Sequence, residues 1–119
     1  MSVEGRIKDT INRGGEKISA EEVENHILAH PNVENCAYVS MPDHELGEKG
    51  CAFILTKKNQ QLTFDELIEF LKKERHIATF KLPERLELIE AFPMTKVGKI
   101  DKKGLRSIIR EKLQKEKKT

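Results

Sequence analysis

Aromatic residues are scarce in this chain of 119 residues: it has one tyrosine and no tryptophan. A nucleic-acid strand would find no stacking platform beside the lysine-rich end, where Glu111 and Glu116 also interrupt Lys112, Lys115, Lys117 and Lys118. Neither sign of charge dominates. With 22 Lys+Arg against 20 Asp+Glu the net charge is +2, which argues against electrostatic capture of nucleic acid or of an anionic membrane. Cysteine occurs twice, at Cys36 and Cys51, without CxxC spacing. Two such residues make neither a zinc site nor a disulfide framework, and read as small apolar strand residues in a reducing compartment. No stretch approaches the roughly 20 apolar residues of a membrane helix, and the opening MSVEGRIKD has no apolar signal core, so a soluble, cytoplasmic protein is expected. The four histidines offer only His26-x-x-x-His30, a same-face helical pair lacking a third ligand, and no metal site is expected.

What the chain does have is enough for one domain and too little for two. Gly5 to Ile18 alternates short β-like pieces around Gly14-Gly15, which predicts a polar hairpin too hydrophilic to enter the core. Ser19 stands three residues before Glu22 as a capping-box pair, and Ala20, Val23 and Ile27 recur at helical spacing, predicting a helix over about Ala20–Ala29. Asn35–Met41 and Cys51–Thr56 read as an antiparallel strand pair turned by the polar stretch from Pro42 to Glu48. Thr63 and Glu66 repeat the capping pattern ahead of an apolar stripe, Phe64, Leu67, Ile68 and Leu71, on a helix ending near Arg75. Arg85–Glu90 alternates Leu86 and Leu88 against charge as a strand, and Phe92–Lys99 reads as an irregular loop. A last helix from Lys102 presents Leu105, Ile108, Ile109 and Leu113 before a charged end expected to fray. The fold class is therefore α+β: a small mixed or antiparallel sheet with about three helices on it, preceded by a β-hairpin.

Two stretches carry more glycine and lysine than a fold needs, GRIKDTINRGGEKI (5–18) and PMTKVGKID (93–101). Both are loop-borne, where a rigid scaffold leaves side chains and amides accessible. Lys99 is followed by Ile100 rather than Ser or Thr, and no glycine lies five residues before Gly98, so Gly98-Lys99 is not a phosphate-binding P-loop.

The first stretch resembles the hinge motif that opens the C-terminal lid domain of the adenylate-forming superfamily, which includes acyl- and aryl-CoA synthetases, nonribosomal peptide synthetase adenylation domains and luciferase. The second resembles that family's closing Pro-x-Thr-x-x-Gly-Lys-Ile-Asp loop. The likeness runs from Gly5 to about Leu113, and its wording is most similar to the aryl-acid branch, the 2,3-dihydroxybenzoate–AMP ligases of siderophore synthesis. The resemblance implies two half-reactions. A carboxylate attacks the α-phosphate of ATP to give an acyl-adenylate and pyrophosphate, and a pantetheine thiol then displaces AMP. By the same resemblance Lys99 is the catalytic lysine of adenylation and also touches the nucleotide. Arg6 contacts the nucleotide, unless it serves only a surface salt bridge to Asp9 or Glu16, and Lys8 is the hinge. Gly14 and Gly15 line the pantetheine tunnel, with Lys17 beside it.

The family's large N-terminal domain, with its acid pocket, adenine site and phosphate loop, is not in these residues. Residues 1–119 are therefore expected to be the lid domain alone, inactive without its N-terminal partner domain. ATP and Mg2+ are expected to be held mainly by that partner domain, and the acceptor to be the phosphopantetheine thiol of an acyl or aryl carrier protein, or CoA. The substrate is expected to be a small carboxylic acid, and neither nucleic acid nor a membrane is an expected partner. Two alternatives stand beside this: the lid of a fatty-acyl or other acid–CoA ligase, and a non-catalytic module whose basic loops bind a phosphorylated partner.

Overall fold

The computed structural model describes residues 10–118, with side chains through residue 116. It begins in the hairpin. Strands β1 (Thr10–Arg13) and β2 (Glu16–Ser19) pair antiparallel through the two-residue turn Gly14-Gly15. Both glycines have positive φ, +57° and +95°. That is the backbone a two-residue hairpin turn demands, because its twist must match that of the strands it joins. The expectation that this segment stays out of the core is overturned: Ile11 and Ile18 face each other in register and are buried. Strand alternation sends every second residue to one face, so two apolar positions among polar ones suffice to anchor a hairpin.

Helix α1 (Ala20–Leu28) follows directly, with the Ser19 hydroxyl accepting from the Glu22 amide at 3.3 Å. The reciprocal half of the box is not made, because the Glu22 carboxylate binds Lys81 Nζ instead, at 2.9 and 3.0 Å. Strands β3 (Val33–Asp43) and β4 (Gly47–Thr56) form a long antiparallel ladder. The turn expected from Pro42 to Glu48 shrinks to three residues. The Asp43 carboxylate accepts from the amides of Glu45 and Leu46 at 3.0 and 2.8 Å, letting Pro42 and Glu48 join the ladder. Helix α2 (Phe64–Glu69) starts on a complete Thr63–Glu66 capping box and widens into a π-helical turn over Phe70–Glu74. Leu67 and Leu71 are buried but Phe64, expected in the stripe, is exposed; Leu62, just ahead of the cap, takes the core position. A 3₁₀ turn (Thr79–Lys81) leads to β5 (Arg85–Leu88), which runs parallel to β4, and the chain ends in α3 (Lys102–Lys118).

The sheet order is β2-β1-β4-β3, with β5 also on β4. β1 and β5 share one edge of β4: Arg13 pairs with Gly47 at one end, and β5 pairs from Cys51 to Ile54. Alternate residues of the central strands feed two cores. Cys36, Tyr38, Ala52 and Ile54 join the hairpin, α1 and α2, while Ala37, Val39, Met41, Cys51 and Phe53 meet Leu105 and Ile109 of α3. Burial on both faces explains why these strands read as continuous apolar runs. On α3 the buried positions are Leu105 and Ile109, with Leu113 packed partly against them; Ile108, expected in the same face, is 38% exposed.

Candidate functional site

The PMTKVGKID segment lies outside the regular strands and helices, as expected of an irregular loop, but it is closed on itself. It folds back as a miniature hairpin in which Met94 bridges Ile100. The Thr95 amide donates to the Lys99 carbonyl at 2.7 Å, the Gly98 amide to the Thr95 carbonyl at 3.0 Å, and the Lys99 amide to the Thr95 hydroxyl at 3.2 Å. Gly98 at φ +85° supplies the left-handed residue that closes the turn. The segment is then stitched to the helix behind it: the Asp101 amide donates to the Pro93 carbonyl at 2.7 Å, and the Asp101 carboxylate accepts from the Gly104 amide at 3.2 Å, in the manner of a helix N-cap. Lys99 is exposed and forms no ion pair with a carboxylate of the described residues. A lysine so held has its backbone tied by hydrogen bonds and its side chain open to solvent.

A side chain the sequence reading passed over anchors the start of α3. Glu24 on α1 accepts from the Tyr38 amide at 2.8 Å and pairs with Lys102 Nζ at 2.6 Å, three residues after Lys99. Three elements thus meet at one carboxylate whose side chain is 16% exposed.

Gly14 and Gly15 form the exposed tip of the first hairpin. The Gly14 amide donates to the Leu46 carbonyl at 2.9 Å, and a Cβ on Gly14 would come within 2.9 Å of the Leu46 side chain. A Cβ built on Gly15 would meet nothing within 4 Å, while the Gly15 amide donates to Asn12 Oδ1 at 3.2 Å. Lys17, opposite Asn12 in the hairpin, is exposed. Arg6 and Lys8 lie outside the described residues. The glycine turn and the Lys99 turn share no hydrogen bond or ion pair among the described residues: the first leans on the β3–β4 turn and the second on its own backbone.

The remaining candidates resolve simply. His26 Nδ1 accepts from Arg75 Nε at 3.2 Å, whereas His30 lies past the helix end, its Nδ1 accepting from the Asn32 amide at 3.0 Å and its ring edge-on to Phe70. They do not pair, and no group of three or more His, Cys, Asp or Glu among the described residues could hold a metal ion. Cys36 and Cys51 are buried free thiols, each pushed up to about 12 chiefly by burial, and so are poor nucleophiles. No helix among the described residues is long and apolar enough to cross a membrane.

Comparison with known proteins adds an independent line. The family model of the AMP-binding enzyme C-terminal domain matches residues 22–99. The 2,3-dihydroxybenzoate-AMP ligase of Bacillus subtilis (strain 168) is 57% identical over 111 residues, covering 93% of this chain and 20% of that relative. Pseudomonine synthase PmsE of Pseudomonas entomophila (strain L48) is 52% identical over 109 residues, covering 92% and 18%. Among solved structures, apo MbtA of Mycobacterium smegmatis superposes with a TM-score of 0.80 at 42% identity, over 87% of this chain and 19% of that one. The chain spans about a fifth of the length of the curated relatives it matches.

Proposed function

Because this chain belongs to the AMP-binding enzyme C-terminal domain family, we propose that it is the mobile lid of an ATP-dependent acid–AMP ligase that activates an aryl acid and passes it to a pantetheine thiol. The observation that carries this reading is the Lys99 turn, a hydrogen-bonded scaffold that presents the Lys99 side chain to solvent with no ion-pair partner among the described residues. Adenylation brings a carboxylate and a polyphosphate together, both anionic. A carboxylate oxygen bonds to the α-phosphorus, the bond to the pyrophosphate oxygen breaks, and charge accumulates on the oxygens between. A cation aimed there stabilises the transition state more than the ground state. Val97 and Met94, exposed by 79% and 55%, flank the lysine with apolar surface that suits insertion into a cleft of an N-terminal domain.

In the second step the thiolate sulfur attacks the acyl carbonyl carbon and AMP leaves with the bonding pair. Here the lysine is not required, and the exposed Gly14-Gly15 turn, bare of side chains, gives a thin pantetheine arm a backbone surface to slide along, with Lys17 near its mouth. Lys8 is the hinge about which the lid turns, and Arg6 the nucleotide contact. In this reading Mg2+ and most ATP contacts belong to the N-terminal domain. The similarity to a 2,3-dihydroxybenzoate-AMP ligase supports an aryl acid as substrate.

The test is made in the complete ligase. Lys99→Ala lowers acid-dependent pyrophosphate exchange by about a hundred- to a thousandfold while thioester formation from a supplied acyl-adenylate persists. Unchanged exchange overturns the assignment.

A further inference from the structure

The hairpin that carries Gly14-Gly15 is joined to the main sheet by very little backbone. Its register with β4 is the single pair Arg13↔Gly47, and beyond that the β4 edge passes to another strand. At the changeover stands Glu84, whose amide donates to the Gly50 carbonyl at 2.9 Å, one residue before β5 begins. The Glu84 carboxylate reaches back across this gap to hydrogen-bond and ion-pair with Arg13 Nε, the residue immediately before the glycine turn. Both side chains are about three-quarters covered, with relative exposures of 28% and 26%. The contact is therefore a charge-assisted bond shielded in part from water. The same carboxylate faces Lys49 Nζ at 3.9 Å, Lys49 pairs with Asp43 at 3.2 Å, and Asp43 holds the amide of Leu46, whose carbonyl receives the Gly14 amide. One acidic residue thus sits where two supports of the turn converge, its arginine side and its Leu46 side; a further support, the Asn12 side chain that accepts from the Gly15 amide at 3.2 Å, does not involve it.

We propose that Glu84 is a positioning residue for the Gly14-Gly15 turn, acting through Arg13 to set where that turn stands relative to the rest of the domain. The inference rests on the reading that this turn lines the acceptor channel. A channel wall that wanders by an ångström costs binding of the acceptor without touching the adenylation chemistry, which uses a different turn. Glu84 contacts neither substrate nor reacting atoms.

The experiment has two readouts. In this chain, amide hydrogen exchange at Gly14 is compared between the parent and Glu84→Gln; the variant exchanges roughly fivefold faster at Gly14, with the β3–β4 ladder amides unchanged. In the complete ligase, Glu84→Gln raises the KM for the pantetheine thiol roughly three- to tenfold while kcat and pyrophosphate exchange stay within about twofold. Arg13→Gln does the same, and the double variant is no worse than either single one, as expected if the two act as one unit. Gly14→Val serves as the reference for the channel itself. If Gly14→Val raises that KM but Glu84→Gln does not, the proposal falls and the channel reading stands. If neither variant moves it, the channel reading fails and takes the proposal with it. A Glu84→Gln variant that loses pyrophosphate exchange in parallel with thioester formation marks a general structural role and also overturns the proposal.

Discussion

Gly50 stands opposite Ser40 in the β3–β4 ladder, two residues along from the Ala52–Tyr38 pair, which makes it the diagonal neighbour of Tyr38 on one face of the sheet. The tyrosine ring lies across that space with its hydroxyl donating to the Lys81 carbonyl at 3.2 Å, and a Cβ at position 50 would overlap the phenol end of the ring. The ring cannot yield cheaply, because Tyr38 is fully buried. Gly50→Ala is therefore expected to destabilise the domain by about 3 kcal/mol through overpacking and the displaced hydroxyl, read as a lowered chemical-denaturation midpoint. A glycine in a strand marks such close approaches, but the sequence does not say which ring approaches it. The same holds for Arg13. Its guanidinium is held above its ordinary pKa chiefly by the Glu84 hydrogen bond, and that partner stands 71 positions away in the chain.

Between elements, the clearest departure from the sequence reading is the contact of β5 with the end of α3. Alternation placed Leu86 and Leu88 inward, yet Leu88 is 56% exposed while the Glu87 carboxylate is covered, held by Arg85 and Lys112. Glu116 closes the group by accepting from both terminal nitrogens of Arg85, at 3.1 and 2.6 Å. The charged end expected to fray is helical through Lys118, and two of its charges, Lys112 and Glu116, have partners on β5. Burial pushes the Glu87 carboxyl up, but its bonds to Lys112 and Arg85 outweigh that and leave it below the usual range; the Arg85 bond lowers Glu116 likewise. A carboxyl depressed in the folded state contributes stability that is complete above its unfolded pKa and is lost as pH falls through the folded value. The contribution of this carboxylate group to the melting temperature is thus expected to be constant above about pH 5 and to be lost below about pH 4. Glu87→Gln is expected to lower the neutral-pH melting temperature and to flatten that acid decline; a variant with the parent's slope contradicts the assignment.

At the scale of the whole molecule, the two cores are built from the same two strands, so they stand or fall together. Ile109→Ala opens a cavity under α3 and is expected to cost roughly 3 kcal/mol, lowering the melting temperature by about 10 °C. With no tryptophan present, Tyr38 on the opposite face is the optical probe, and its signal is expected to melt together with helicity in one transition. Two separated transitions would mean that the faces are independent.

Local chemistry in the sequence determined the number and kind of elements, the two-glycine turn, the Thr63 cap and both loops that resemble family motifs, because propensity, capping and turn preference act over a few residues. Tertiary structure alone decided that β5 joins β4 in parallel, that Ile11 and Ile18 enter the core, that PMTKVGKID closes on itself, and that Glu84 and Glu24 brace the two loops. Each of those outcomes rests on a contact between residues far apart in the chain or on a backbone hydrogen bond, and neither leaves a periodic trace in the order of the amino acids.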